Sequence, residues 1–269
     1  MTAIAQLSDI HFGSDAPGTA ERLADALNRA RFDLVILSGD LTMAARHSEF
    51  AAARAFIDAL SAPTLSVPGN HDITPYNLIE RFAAPYARFR RHVGALEPAF
   101  ANDDVAVVGL NTARRMRLRL DWSHGSVSRR QIAAVADRFA ALPQTPFRIV
   151  VAHHPFLEED TADLGERPRV MVKRARRALA RFAELGVHVV MAGHLHRTYA
   201  ATYTGPSHPV VTVQAGTALS HRTRGEPNSF NRVDILGDTL TVRPVVSTAD
   251  GWQAGAPIAT VAASDAGAA

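Results

Sequence analysis

Short apolar runs recur along the chain, separated by polar segments that carry either helical periodicity or turn signals. Residues 3–7, 34–38, 64–67, 105–110, 148–152 and 187–192 are dense in aliphatic side chains and too short for helices, which predicts buried strands. Three stretches between them read as helices. Residues 48–60 repeat apolar positions at helical spacing. Ser128, followed three residues later by Gln131, is a capping box opening a helix that runs to about Leu142, before Pro143. Residues 170–185 form the third, with Gly186 placed just past its end. Strands alternating with helices imply right-handed crossovers and parallel pairing. From residue 210 the pattern changes to consecutive strands, at 210–214, 232–236 and 239–245, with Gly237-Asp238 as a hairpin turn. The prediction is an α/β fold in one domain over residues 1–253. Residues 254–269 are rich in Ala, Gly and Ser and are expected to form a flexible tail.

Five of the apolar runs are followed at once by polar signatures. In chain order these are Asp9-Ile10-His11, Gly39-Asp40, Gly69-Asn70-His71-Asp72, His153-His154-Pro155 and Gly193-His194-Leu195-His196. Any one of them is common, so the weight lies in the ordered set. Ligands of open α/β sheets gather at the carboxyl ends of strands, where such loops converge. Asp, Asn and His together make a mixed hard and borderline donor set suited to Mn, Fe or Zn. Two divalent transition-metal ions bridged by a shared carboxylate, about 3.5–4 Å apart, clamp the attacking and leaving oxygens of an in-line displacement. A bridging water would be acidified to hydroxide near neutral pH, so no protein nucleophile is needed. Two dications against the carboxylates of Asp9 and Asp40 and one hydroxide leave a net positive pocket, which favours an anionic phosphoryl substrate. His71 is the candidate for assisting the leaving oxygen.

Composition narrows the classes. At 269 residues and 47% hydrophobic content, the chain can bury a substantial core. The formal charge is only +3, and the basic residues are arginines apart from Lys173. They concentrate at residues 114–119, which hold Arg114, Arg115, Arg117 and Arg119, and at Arg167, Arg169, Lys173, Arg174, Arg176, Arg177 and Arg181. These clusters read as solvated faces, with phosphate steering as the alternative; neither has the interleaved aromatics of a single-strand stacking platform. The expected partner is a small-molecule phosphodiester, and nucleic acid is not favoured. With no cysteine, disulfides, thiolate catalysis and Cys-type zinc sites are excluded. No apolar run approaches the ~20 residues of a membrane span, and the amino terminus has no signal-peptide pattern, so a cytoplasmic location is expected. The sequence is silent on oligomeric state.

The ordered signatures resemble the calcineurin-like metallophosphoesterase superfamily, and in particular the bacterial class III cyclic nucleotide phosphodiesterases; the matched blocks run from Asp9 to His196. The resemblance implies two packed mixed β-sheets flanked by helices. It implies a dinuclear centre in which Asp9, His11 and His196 hold one ion, Asn70, His153 and His194 the other, and Asp40 bridges. His71 would be the non-ligating catalytic residue, with Asn70 and His71 contacting the phosphate. Phosphoprotein phosphatases follow Gly-Asp closely with Asp-Arg-Gly and use Gly-Asn-His-Glu. Here Asp40 precedes Leu41-Thr42-Met43-Ala44 and the later block ends in Asp72, which argues against them. The leading expectation is a phosphodiesterase acting on 3′,5′-cyclic nucleotides such as cAMP by metal-bridging hydroxide attack. The alternatives are a broad-specificity phosphoesterase or nuclease, and a binding scaffold with a vestigial site. His154 should point away from His153 as a packed neighbour of the centre, and His47 should be solvated. His188 reads as a hydrogen-bonded structural histidine, and residues 221–231 as a polar loop that either touches substrate or only turns the chain.

Overall fold

The computed structural model describes residues 1–115, 123–158, 171–205, 207–220 and 225–266. Along the chain the elements are β1 (Thr2–Leu7), α1 (Thr19–Ala30), β2 (Leu34–Leu37), α2 (His47–Ala59), β3 (Thr64–Ser66), α3 (Leu78–Ala83), α4 (Ala87–His92), β4 (Ala99–Ala101), β5 (Val105–Gly109), α5 (Arg129–Ala140), β6 (Phe147–Val151), α6 (Ala175–Glu184), β7 (Val189–Ala192), β8 (Tyr199–Thr204), β9 (Pro209–Gln214), β10 (Ser229–Leu236), β11 (Thr239–Thr248), β12 (Gly251–Ala254) and β13 (Ala259–Ala262). One sheet has the order β12-β11-β10-β1-β2-β3, with β13 also on β11; the other has the order β4-β5-β6-β7-β9-β8. Both are mixed. In the first, β1, β2 and β3 are parallel and β10 runs antiparallel to β1. In the second, β5, β6, β7 and β9 are parallel, with antiparallel β4 and β8 at the edges.

The apolar runs are continuous because both faces of the central strands are covered. In β2, Leu34 and Ile36 face the other sheet and meet a layer that includes Val107, Ile149, Val151 and Met191. Val35 and Leu37 point the other way, into a cluster with Leu23 and Leu27 of α1 and Phe50 and Phe56 of α2. On the far surface, Val108, Val150 and Val190 pack with Ile132 and Val135 of α5 and Leu179 and Phe182 of α6. Each such side chain, buried almost completely, contributes about 1.5–3 kcal/mol. Polar side chains also tie the sheets together below the strand ends. Gln6 of β1 donates through Nε2 to the Ala192 carbonyl of β7 (2.9 Å), and its Oε1 accepts from Asn231 Nδ2 (3.0 Å). That link fixes where the two sets of strand ends meet.

Local signals are realised where the chemistry is explicit. Ser128 and Gln131 form the reciprocal capping box of α5. Gly186, at φ 66°, lets Val187 N close on the Phe182 carbonyl after α6. The hairpin at Gly237-Asp238 pairs Leu236 with Thr239. The third helix differs from expectation: it starts at Ala175 rather than 170. The tail expectation also needs correcting. Ala259–Ala262 pairs antiparallel with β11, placing Val261 opposite Leu240 at 3% exposure, and Ala263–Ala266 forms a 3-10 turn. A single large apolar residue among Ala and Thr anchors this strand, so composition alone does not register it. Residues Arg117, Arg119, Arg167, Arg169, 221–224 and 267–269 lie outside the described residues. No described helix is long and apolar enough to cross a membrane.

Candidate metal centre

Every residue predicted for the centre stands at a strand's carboxyl end. Asp9 and His11 follow β1, Asp40 follows β2, and Asn70 and His71 follow β3; His153 follows β6, and His194 and His196 follow β7. The packed sheets therefore bring four ligand candidates from one side and three from the other to a common point. Ligand atoms of Asp9, His11 and His196 lie within 4.8 Å of one another, as do those of Asp9, Asp40 and His153, and those of His11, Asp40 and His71. Asn70 joins through Oδ1, 3.2 Å from His153 Nε2. Asp40 is central: its Oδ2 is 3.3 Å from His153 Nε2 and 3.9 Å from His11 Nε2, while Oδ1 accepts from His71 N at 2.8 Å.

Backbone carbonyls and hydroxyls set the rings. His153 Nδ1 donates to the Ser38 carbonyl (2.9 Å), His11 Nδ1 to that of Thr42 (3.3 Å) and His71 Nδ1 to that of Met43 (2.7 Å). A carbonyl only accepts, so in the neutral rings the Nε2 lone pairs are left to face the centre. His196 Nδ1 is held by Thr217 Oγ1. Asp72 lies outside these clusters of possible ligands. Its carboxylate accepts from Gly69 N (2.9 Å), Thr42 N (3.0 Å) and Thr42 Oγ1 (2.9 Å), binding the second and third signature loops together.

The backbone is strained here in a particular way. Asp9, His11, Asp40, His194 and His196 all have positive φ, between 52° and 74°, a region that costs non-glycine residues energy and that clusters at functional sites. Two glycines allow the close packing behind them. A Cβ on Gly69 would sit 2.1 Å from Asp40 Oδ1, and one on Gly193 would sit 1.7 Å from Ser8 Oγ and 2.7 Å from Asp9 Oδ2.

The donor set fits a pair of divalent ions. Asp9 Oδ1 and His11 Nε2 are buried without hydrogen-bond partners among the described residues, a costly arrangement for polar atoms unless a ligand satisfies them. They lie 3.7 Å apart, and Asp9 Oδ1 is 3.4 Å from His196 Nε2, beyond hydrogen-bond range. Atoms bound about 2.0–2.2 Å from one ion stand about 3 Å or slightly more from each other. Charge is focused on the same atoms. Burial opposes ionisation of Asp9 and Asp40, but the facing histidines outweigh it and hold both carboxyls well below the usual range. Burial would lower His153, yet the Asp40 carboxylate raises it to about 9. Burial and the His153 charge bring His194 down to about 3. Burial and the Asp40 charge push Asp72 up to about 6.

The other histidines sort differently. The expectation that His153 and His154 diverge is not met: their rings lie 4.8 Å apart, because the chain bends immediately after β6. His154 is fully buried, its Nδ1 is 2.8 Å from Thr112 Oγ1, and its ring packs 4.6 Å from that of His194. With His153 and His194 it forms a fourth cluster of possible ligands. His47 is exposed and pairs with the His92 ring. His188 accepts from Arg148 N and reaches the Ala263 carbonyl. Of the described basic cluster residues, Arg114 bonds Gln131 and Arg174 the Val127 carbonyl, Arg181 pairs with Glu184 on the exposed face of α6, and Lys173, Arg176 and Arg177 are exposed, as a solvated face requires. Sequence reasoning missed Ser8, Thr42 and Thr217. The first two adjoin signature residues and were open to notice; Thr217 is 21 positions from the histidine it holds and carries no local signal.

Residues 2–198 match the family model of the calcineurin-like phosphoesterases. The chain belongs to that family. A curated relative, the glycerophosphodiester phosphodiesterase GpdQ of Enterobacter lignolyticus, is 36% identical over 80 residues, which is 26% of this chain and 29% of that protein. Among solved structures, purple acid phosphatase PPD1 from yellow lupin superposes with a TM-score of 0.67 at 15% identity, over 97% of this chain and 53% of that one. Vps29 of Chaetomium thermophilum gives 0.49 at 14% identity, over 97% of each chain. The chain thus spans under a third of the curated relative and about half of the phosphatase. The phosphatase likeness, at that identity, is one of fold: two mixed sheets with flanking helices.

Proposed function

We propose that the protein is a dinuclear-metal phosphodiesterase of small-molecule substrates, with 3′,5′-cyclic nucleotides as the leading class. The observation that carries this reading is the Asp40 carboxylate, set between a group containing Asp9, His11 and His196 and a group containing His153, with His71 turned toward it. In this reading Asp9, His11 and His196 hold one ion, Asn70, His153 and His194 the other, and Asp40 both. When bound, the ions supply Lewis-acid polarisation of the phosphoryl group and an acidified water as nucleophile. The protein's own groups do the rest. Asn70 directs Oδ1 toward His153, which leaves its Nδ2 to donate to a phosphoryl oxygen. His71, fixed by Met43 through Nδ1, places Nε2 for the leaving oxygen, and as imidazolium it delivers a proton there. The matched stretch of GpdQ, a protein named for glycerophosphodiesters, supports diester chemistry in general. The signature blocks, with Asp72 closing the third, support the cyclic nucleotide class.

The test is a substrate panel on the purified chain loaded with Mn²⁺, Fe²⁺ or Zn²⁺: cyclic AMP, a glycerophosphodiester, an aryl diester and an aryl monoester. Diester turnover is expected, and His71→Ala should lower kcat by about 10²–10⁴-fold while retaining its metal content. Failure to cleave any diester in the metal-replete protein would sink the reading, and monoester turnover alone would replace it with a phosphomonoesterase.

A further inference from the structure

A cavity of about 310 Å³ is lined at one part by Asn70 and His71 of the centre and elsewhere by residues outside it. Met43, Ile73, Pro75 and Tyr76 supply an apolar surface, and Arg46 and Glu49 stand at its edge. The volume is at the lower end of the roughly 300–1,000 Å³ of small-molecule sites, which suits one compact group rather than a polymer. Tyr76 is 73% exposed, an unusual position for so large an apolar ring, and its ring faces the Arg46 guanidinium, with Cζ 5.8 Å from the centroid. Glu49, only 6% exposed, accepts from Ala44 N (2.8 Å) and Arg46 N (3.0 Å), and its other oxygen is 3.9 Å from Arg46 Nε. Arg46 thus has the Glu49 carboxylate near its Nε and the Tyr76 ring near its Cζ.

We infer that this cavity receives the leaving alcohol of the substrate and selects for a flat, apolar-faced group, such as an aryl ring or nucleobase, stacked on Tyr76 beside Arg46. The inference rests on the phosphodiesterase reading in one respect: if His71 serves the leaving oxygen, the remainder of the leaving group enters the cavity that His71 itself lines. The wall chemistry supplies the rest. Four apolar side chains give an apolar-faced group contact from which a hydroxyl-rich group such as glycerol gains little. Planar rings gain from stacking on both an aromatic face and a guanidinium.

The decisive measurement is direct binding, independent of turnover. Phenyl phosphate and methyl phosphate are titrated calorimetrically into the Mn²⁺-loaded full chain. Wild type should bind phenyl phosphate about tenfold more tightly, the scale of one ring stacking on an aromatic side chain. Tyr76→Ala should bring the ratio close to one, and Tyr76→Phe should keep it. Absence of an aryl preference in wild type, its persistence in Tyr76→Ala, or no binding of phenyl phosphate would each overturn the inference. The diester panel run in parallel separates the two ideas. An aryl preference lost in Tyr76→Ala without diester turnover would leave the pocket standing and remove the phosphodiesterase.

Discussion

Thr217 illustrates how much of the centre depends on residues that bind nothing themselves. Its hydroxyl holds His196 by Nδ1 and so aims Nε2 at Asp9 Oδ1. Partners of this kind typically change metal affinity by about 10–100-fold. Thr217→Val, which removes the hydroxyl at nearly constant volume, should weaken binding of one ion by that factor, and Thr217→Ser should restore it; competition against a chromophoric chelator reads both. The ligand candidates themselves were legible because Asp, Asn and His at strand ends are conspicuous in a run of aliphatic residues. Thr217 was not, because a threonine in an apolar stretch looks the same whether or not a histidine lies above it.

The segment containing α3 and α4 is small but braces the loop beside the cavity. Arg88 of α4 pairs with Glu80 of α3 and also donates to the carbonyl of Ala45 (2.7 Å), which lies between Met43 and Arg46 in the chain. The hydrogen bond from Arg88 holds the Glu80 carboxyl below its ordinary 4.5. A carboxylate with a depressed folded pKa adds stability above its unfolded pKa and loses that contribution as pH falls through the folded value. The stability difference between wild type and Glu80→Gln should therefore be constant near neutrality and shrink as pH drops from about 5 to about 3, measured by urea denaturation at each pH. A difference that stays flat over this window would show that the pair does not couple to folding. The short helices α3 and α4 were not anticipated, since six residues carry too little periodicity to stand out. The edge strands β4 and β8 escaped for the related reason that their exposed faces dilute the apolar run.

At the scale of the whole molecule, the proposed ions would join loops from both sheets. Ligation there should stabilise the sandwich as a unit. At free ion concentrations about 100-fold above Kd, linkage contributes about 2.7 kcal/mol, or roughly 5–10 °C in Tm for a domain of this size. Chelation should lower Tm by that amount, and Asp40→Asn should abolish the chelator's effect, both followed by differential scanning fluorimetry. An unchanged Tm on chelation of a protein shown to contain metal would mean that the ions sit outside the cooperative fold.

The sequence by itself determined the strands of the two central layers, the capping box of α5, the stop of α6 and the identity of the polar residues at the strand ends. It did so because these depend on neighbours along the chain: side-chain period, a cap three residues away, a glycine where φ turns positive. Only the tertiary structure decided that β13 is a strand, since its stability comes from pairing with β11 and from Val261 in the inter-sheet core. The same holds for the 4.8 Å approach of His153 and His154, for Thr217 beneath His196, and for the Tyr76 and Arg46 surfaces beside His71. The first follows from a backbone bend after β6, and the others join residues that neighbouring strands of one sheet bring together, so none is encoded by side-chain period or by a capping signal.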